Sequence, residues 1–130
     1  MVIDTSAIAA IFLGEPEADQ FDEAIARAMT RLVPATCLFE ARIVLIARRN
    51  EGVVNDLDLW LAKIAADVIP VDADIVDIAT QAWLLYGKGR HPAALNFADC
   101  LSYALAKRSG EPLLCKGDDF PRTDIALVRA

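Results

Sequence analysis

The chain opens "MVIDTSAIAAIFL", Met1 to Leu13: three apolar residues, the polar triplet Asp4-Thr5-Ser6, then an almost wholly apolar or small run. Met1 to Ile3 lacks the in-and-out alternation of a strand with one wet face, so it reads as a short strand buried on both sides. The polar triplet ends it, and Ala7 to Leu13 reads as a helix. A buried strand passing straight into a helix starts a parallel α/β arrangement, so the chain begins inside its own core.

The same alternation continues downstream. Glu17 to Met29 follows a Gly-Glu-Pro start signal and spaces Phe21, Ala24, Ile25 and Ala28 along one helical face. Leu32-Val33 is a second short strand, and Pro34 then admits a helix through Cys37, Glu40 and Val44 to about Arg49. Asn55-Asp56 is expected to cap a helix through Trp60 to Ala66; Val68 to Val71 follows as a strand and Asp72 to Leu85 as a helix. Tyr86 to Leu95 is a loop by its Gly and Pro content. Asn96 caps a helix to about Lys107, Ser109-Gly110 breaks it, and Leu113 to Cys115 and Ile125 to Val128 complete the strands. The expected fold is an α/β sandwich: a central, mostly parallel sheet of about four to five short strands flanked by helices.

At 130 residues and 55% hydrophobic content the chain suits one domain, residues 1–130, with an ample core. A net charge of -6 excludes the global basic surface that drives non-specific nucleic-acid binding. A polyanionic substrate would need a local reversal of sign, which divalent cations held by clustered carboxylates supply. No window is apolar enough to span a bilayer, and no basic and apolar signal-peptide pattern opens the chain, so a cytoplasmic protein is expected. Cys37, Cys100 and Cys115 are odd in number and far apart, which argues against a disulfide framework or zinc knuckle.

Acidic residues mark the carboxyl end of the expected sheet, where open parallel sheets place their chemistry. Asp4 ends the first strand, and "LLCKGDDF", Leu113 to Phe120, carries Asp118 and Asp119 just beyond another. Glu40 and Asp99 lie in otherwise apolar stretches, "CLFEARIVLI" and "NFADCLSYALA". An unpaired ion there costs several kcal/mol to bury, so each needs a reason. Both fall in the first turns of helices that start at the carboxyl edge, where the helix macrodipole favours negative charge. Carboxylates gathered there raise one another's proton affinity unless a cation neutralises them, and hard oxygen ligands select Mg²⁺ or Mn²⁺. Such a set suits phosphodiester hydrolysis by a cation-activated water.

The segments "VIDTSAIAAIFLGEPE", "FEARIVL", "GKGRHPAALNFADCLSYALAK" and "EPLLCKGDDFPRTDI" span nearly the whole chain, and in this order and spacing they resemble PIN-domain ribonucleases, specifically VapC-type toxins of bacterial type II toxin–antitoxin systems. The resemblance implies a PIN-like sandwich, a Mg²⁺- or Mn²⁺-dependent endoribonuclease, a cognate VapB-type antitoxin, a homodimer, and a tRNA or ribosomal RNA substrate. Asp4, Glu40 and Asp99 match the three core acids; Asp118 is the first choice for the fourth and Asp119 the second. Thr5 and Ser6 match the family's hydroxyl pair, which can orient Asp4 while also capping the helix. Lys88, Arg90 and Lys116 are candidate contacts to RNA phosphates, with the neighbouring His91 read as a turn residue rather than a general base. Trp83 and Tyr86 can stack on bases, although Trp83 equally suits a core or dimer interface. Trp60 and its helix form a candidate antitoxin surface.

Two other phosphoryl-transfer folds fit less well. A receiver domain needs an acidic pair after the first strand, where only Asp4 stands, and a haloacid-dehalogenase phosphatase needs an aspartate where Ser6 stands. The remaining alternative is a non-catalytic module that binds RNA or a protein partner.

Overall fold

The computed structural model describes residues 1–129. Four strands form one parallel sheet: β1 (Val2–Ile3), β2 (Leu32–Pro34), β3 (Asp67–Ile69) and β4 (Leu113–Leu114), in the order β3-β2-β1-β4. Val2 stands opposite both Leu32 and Leu113, which makes β1 an interior strand paired on both edges. The helices are α1 (Thr5–Phe12), α2 (Ala18–Arg27), α3 (Ala35–Arg48), α4 (Val53–Lys63), α5 (Ala73–Tyr86) and α6 (Phe97–Ser109). None is long and apolar enough to cross a membrane among the described residues.

Successive strand side chains point to opposite faces, and both faces are covered. Ile3, Val33 and Leu114 join Ile8, Leu45 and Leu57 in a core beneath α1 to α4. Val2 and Leu113 join Leu95, Leu101 and Leu105 in a second core beneath α5 and α6. In β1, β2 and β4 this explains the lack of alternation, since residues on either face meet protein, whereas the edge strand β3 leaves Asp67 and Val68 exposed.

The element boundaries differ from the sequence expectations for local reasons. The helix expected from Ala7 starts at Thr5, because the Asp4 side chain accepts the Ser6 backbone N–H and caps it. The α4 helix starts at Val53 rather than after Asn55-Asp56, because the Asn50 side chain accepts Gly52 N–H at 2.9 Å and turns the chain earlier. β3 stops at Ile69 because Pro70 has no N–H to extend the ladder. Helix α6 ends as expected at Gly110, whose φ of 71° is left-handed. Ile125 to Val128 does not form the fifth strand; only a single bridge joins Leu127 to Leu113. Two backbone bonds, Leu113 N–H to Ala126 O and Val128 N–H to Leu113 O, both 2.9 Å, make that bridge, and just before it Tyr103 Oη donates to Asp124 Oδ1 at 2.5 Å and Lys107 Nζ to Asp124 Oδ2 at 2.8 Å.

Strands this short leave little redundancy, so the core residues beneath them carry the fold. Ile3→Ala, at a position with no exposed surface, is expected to destabilise the protein by about 3 kcal/mol, measured by urea unfolding.

Candidate active site

Asp4 is the residue at which β1 becomes α1. Its N–H donates to Leu114 O at 3.0 Å, and its carbonyl accepts Ala7 N–H and Ile8 N–H, so its backbone belongs to sheet and helix together. The carboxylate is 4% exposed. Oδ2 accepts Ser6 N–H at 3.0 Å and Ser6 Oγ–H at 2.7 Å, while Oδ1 accepts Ser102 Oγ–H at 2.6 Å and lies 3.7 Å from Cys37 Sγ. Ser6 thus orients Asp4, but the cap of α1 is Asp4 itself and not Ser6. Thr5 does neither: its hydroxyl donates to Cys37 O at 3.4 Å and ties α1 to α3.

Helix α3 brings Cys37 against Asp4 and carries Glu40, half-buried, less than one turn further on. At the start of α6, Asn96 and Asp99 form a reciprocal capping box: Asp99 N–H donates to Asn96 Oδ1 at 2.9 Å and Asn96 N–H to Asp99 Oδ2 at 3.0 Å. The Asp99 carboxyl is pushed up to about 6, first by burial; the Asn96 N–H opposes this, and the charges of Asp4, Asp119 and Glu40 add to it. Acids from four separate parts of the chain therefore act on one another at the carboxyl edge of the sheet.

In the "GDDF" stretch, the aspartate acting on Asp99 is Asp119. Asp119 precedes a single 3-10 turn (Phe120–Arg122), yet its side chain makes no capping bond there, so its carboxylate is not spent on the turn. Asp118 is exposed.

The basic residues are arranged less simply. Lys116 N–H donates to Ser6 Oγ at 2.9 Å, tying the exit of β4 to α1, but its ammonium turns away to pair with Glu15 and Glu17. Lys88 and Arg90 are exposed in the loop that leads into α6; the Arg90 guanidinium lies 5.1 Å from the Trp83 ring centre. His91 Nδ1 accepts Ala93 N–H at 3.0 Å and its ring meets Tyr86 edge-on, which shapes the turn. Tyr86 is wedged between His91 and Tyr103, while Trp83 is 41% exposed. Trp60 packs edge-on against Phe12 and lines an open groove of about 500 Å³ with Ile25, Arg31, Lys63 and Ile64. Ser102 escaped the sequence reading; its signal is a serine three residues after Asp99, on an otherwise apolar buried helix.

The donor set fits a hard divalent cation. Among the described residues, none of Asp4, Glu40, Asp99 and Asp119 is paired with a lysine or arginine. The neighbouring thiols do not compete as soft ligands: burial, then the charge of Asp4, pushes Cys37 up to about 12, and burial with Asp4 and Asp99 does the same to Cys115. No three acidic, Cys or His side chains among the described residues converge closely enough to form a metal cage by themselves.

A PIN-domain family model matches residues 1–126. Ribonuclease VapC30 of Mycobacterium tuberculosis is 49% identical over 128 residues, covering 98% of each chain. Among solved structures, Mycobacterium tuberculosis VapC20, described as a sarcin-ricin loop cleaving toxin, superposes with a TM-score of 0.79 at 20% identity, covering 99% of this chain and 98% of that one. VapBC2 of Rickettsia felis, bound to a promoter DNA fragment, gives 0.75 at 14% identity over 98% and 96%. At these identities the two structures attest the fold.

The burial of Asp99, with the charges of the neighbouring acids, has a measurable consequence in metal-free protein. The folded Asp99 binds a proton between its ordinary value of 3.8 and about 6, where the unfolded chain does not, so its contribution to stability falls as pH rises through that window. Asp99→Asn keeps an oxygen for the Asn96 N–H and removes the charge. With chelator present, the variant is expected to melt higher than wild type at pH 7.5, with the difference shrinking toward pH 4, as read by calorimetry.

Proposed function

The chain belongs to the PIN-domain family and, within it, to the VapC ribonucleases, and from this premise we propose that it is a Mg²⁺- or Mn²⁺-dependent endoribonuclease toxin restrained by a VapB-type antitoxin. The observation that carries the reading is the set of four acids, Asp4, Glu40, Asp99 and Asp119, gathered at one sheet edge with no basic partner among the described residues. Asp4, Glu40 and Asp99 are the residues that would hold the cation, and Asp119 is preferred over Asp118 as the fourth because its charge is among those that raise the Asp99 carboxyl. A cation held by these residues would supply Lewis-acid polarisation of the scissile phosphodiester and an activated water.

The chain's own residues do the rest. Ser6 and Ser102 present the Asp4 carboxylate in a fixed plane, and the capping box holds Asp99 at the first turn of α6. Lys88 and Arg90, exposed beside that turn, are the protein's own contacts to RNA phosphates. Lys116 serves RNA only by releasing Glu15 and Glu17. With a net charge of -6, attraction of RNA depends on the cation more than on the surface. The substrate class is a structured tRNA or ribosomal RNA loop whose bases splay from the stack.

A homodimer completes the proposal. Val71, Val76, Trp83 and Phe97 leave apolar surface exposed around a groove of about 260 Å³ between α5 and α6, the surface a second copy would cover. Phe97, 77% exposed, is expected to tolerate Phe97→Glu as a folded chain, with sedimentation shifting from dimer to monomer.

The activity test is cleavage of structured RNA by antitoxin-free protein with Mg²⁺ or Mn²⁺. Asp4→Asn and Asp99→Asn are expected to lose activity by about a hundredfold or more, and Asp119→Asn to lose more than Asp118→Asn. Equal cleavage by wild type and the first two variants would sink the site; RNA binding with no metal-dependent cleavage would favour a non-catalytic module.

A further inference from the structure

Ser102 is fully buried, with its hydroxyl 2.6 Å from Asp4 Oδ1 and 2.9 Å from Cys37 Sγ. A serine inside a helix commonly gives its proton to a carbonyl of the preceding turn, as Ser109 does to Leu105 O at 2.7 Å. Ser102 instead spends it on a residue at the far end of the sequence. The direction of the bonds follows from the groups themselves: an ionised carboxylate only accepts, so Ser102 donates to Asp4, and its lone pair takes the S–H of Cys37.

The last torsion of an aspartate is broad and two-fold, so Asp4 does not set the plane of its own carboxylate. Ser6 holds Oδ2 from α1, and Ser102 holds Oδ1 from α6. Ser102 lies about one helical turn beyond Asp99 on that same helix. The group that orients one acid is thus carried rigidly by the element that presents another.

We propose that Ser102 is a positioning residue of the acid edge: its hydroxyl fixes the Asp4 carboxylate relative to Asp99, and so sets the affinity of the edge for a divalent cation without touching RNA. The inference rests on the metal-dependent reading above. Partners that orient a ligand commonly change metal affinity or activity by about 10–100-fold when removed.

The experiment measures Mn²⁺ binding to RNA-free protein by calorimetry, alongside kcat and KM for RNA. Ser102→Ala adds no volume and substitutes a better helix former, so α6 is expected to stay folded, checked by circular dichroism. Its Mn²⁺ affinity is expected to fall by about tenfold and kcat by a similar factor, with KM for RNA unchanged. Ser102→Thr, which keeps the hydroxyl, is expected to bind Mn²⁺ more tightly than Ser102→Ala. Tyr103→Phe removes the neighbouring bond to Asp124 on the same helix, and is expected to lower the melting temperature while leaving Mn²⁺ affinity unchanged. Wild-type affinity in Ser102→Ala overturns the assignment, as does equal weakening in Tyr103→Phe, which would mark a general loosening of α6. If wild type binds no Mn²⁺, the metal reading falls and this one with it.

Discussion

One residue, Asp4, joins the sheet to the helices on both of its faces. Its N–H extends the ladder to Leu114, its carbonyl starts α1, and its carboxylate bonds Ser6 on one side and Ser102 of α6 on the other. The strands meeting there are two or three residues long, too short for their ladders alone to fix the relative position of the helices. A buried carboxylate with each oxygen bonded does so directionally, because leaving any of those partners unpaired would be costly.

That arrangement stabilises the Asp4 seam but leaves the neighbouring acids in conflict. Asp99 serves its capping box, yet burial and the charges of Asp4, Asp119 and Glu40 all favour its protonated form. The edge gives up stability in the metal-free state for a concentrated negative field that suits a hard cation. Other acids of the chain are handled differently: Asp72 pairs with Arg108, Asp124 with Lys107, and Glu15 and Glu17 with Lys116. Counter-charge is spent on the periphery and withheld from the carboxyl edge.

The surface away from the edge divides into two apolar regions of different character. The groove beside Trp60 is lined by Ile25 and Ile64 together with Arg31 and Lys63, whereas the α5–α6 face around Trp83 and Phe97 is almost wholly apolar. A mixed groove and an apolar face suit different partners, and neither draws on the residues of the acid edge.

Much of the molecule was legible in the residue pattern alone. Strands without alternation require cover on both faces, whatever their partners, and Asn96 three residues before Asp99 specifies a cap by local chemistry. The four ordered motifs pointed to the family that the comparisons then established. Local pattern failed where long-range contacts competed: Ile125 to Val128 has strand composition, but Tyr103 and Lys107 hold Asp124, and only one bridge forms. Likewise Lys116 reads as a phosphate contact until the α1–α2 connection places Glu15 and Glu17 against it. The sequence by itself determined the strand–helix alternation, the Asn96 cap of α6 and the placing of Asp4 and Asp99 where strand and helix meet, because these depend on neighbours within a few positions. Only the tertiary structure brought the charge of Asp119 to bear on Asp99 and the hydroxyl of Ser102 onto Asp4, since a charge or hydroxyl acts through space and 98 positions separate that last pair.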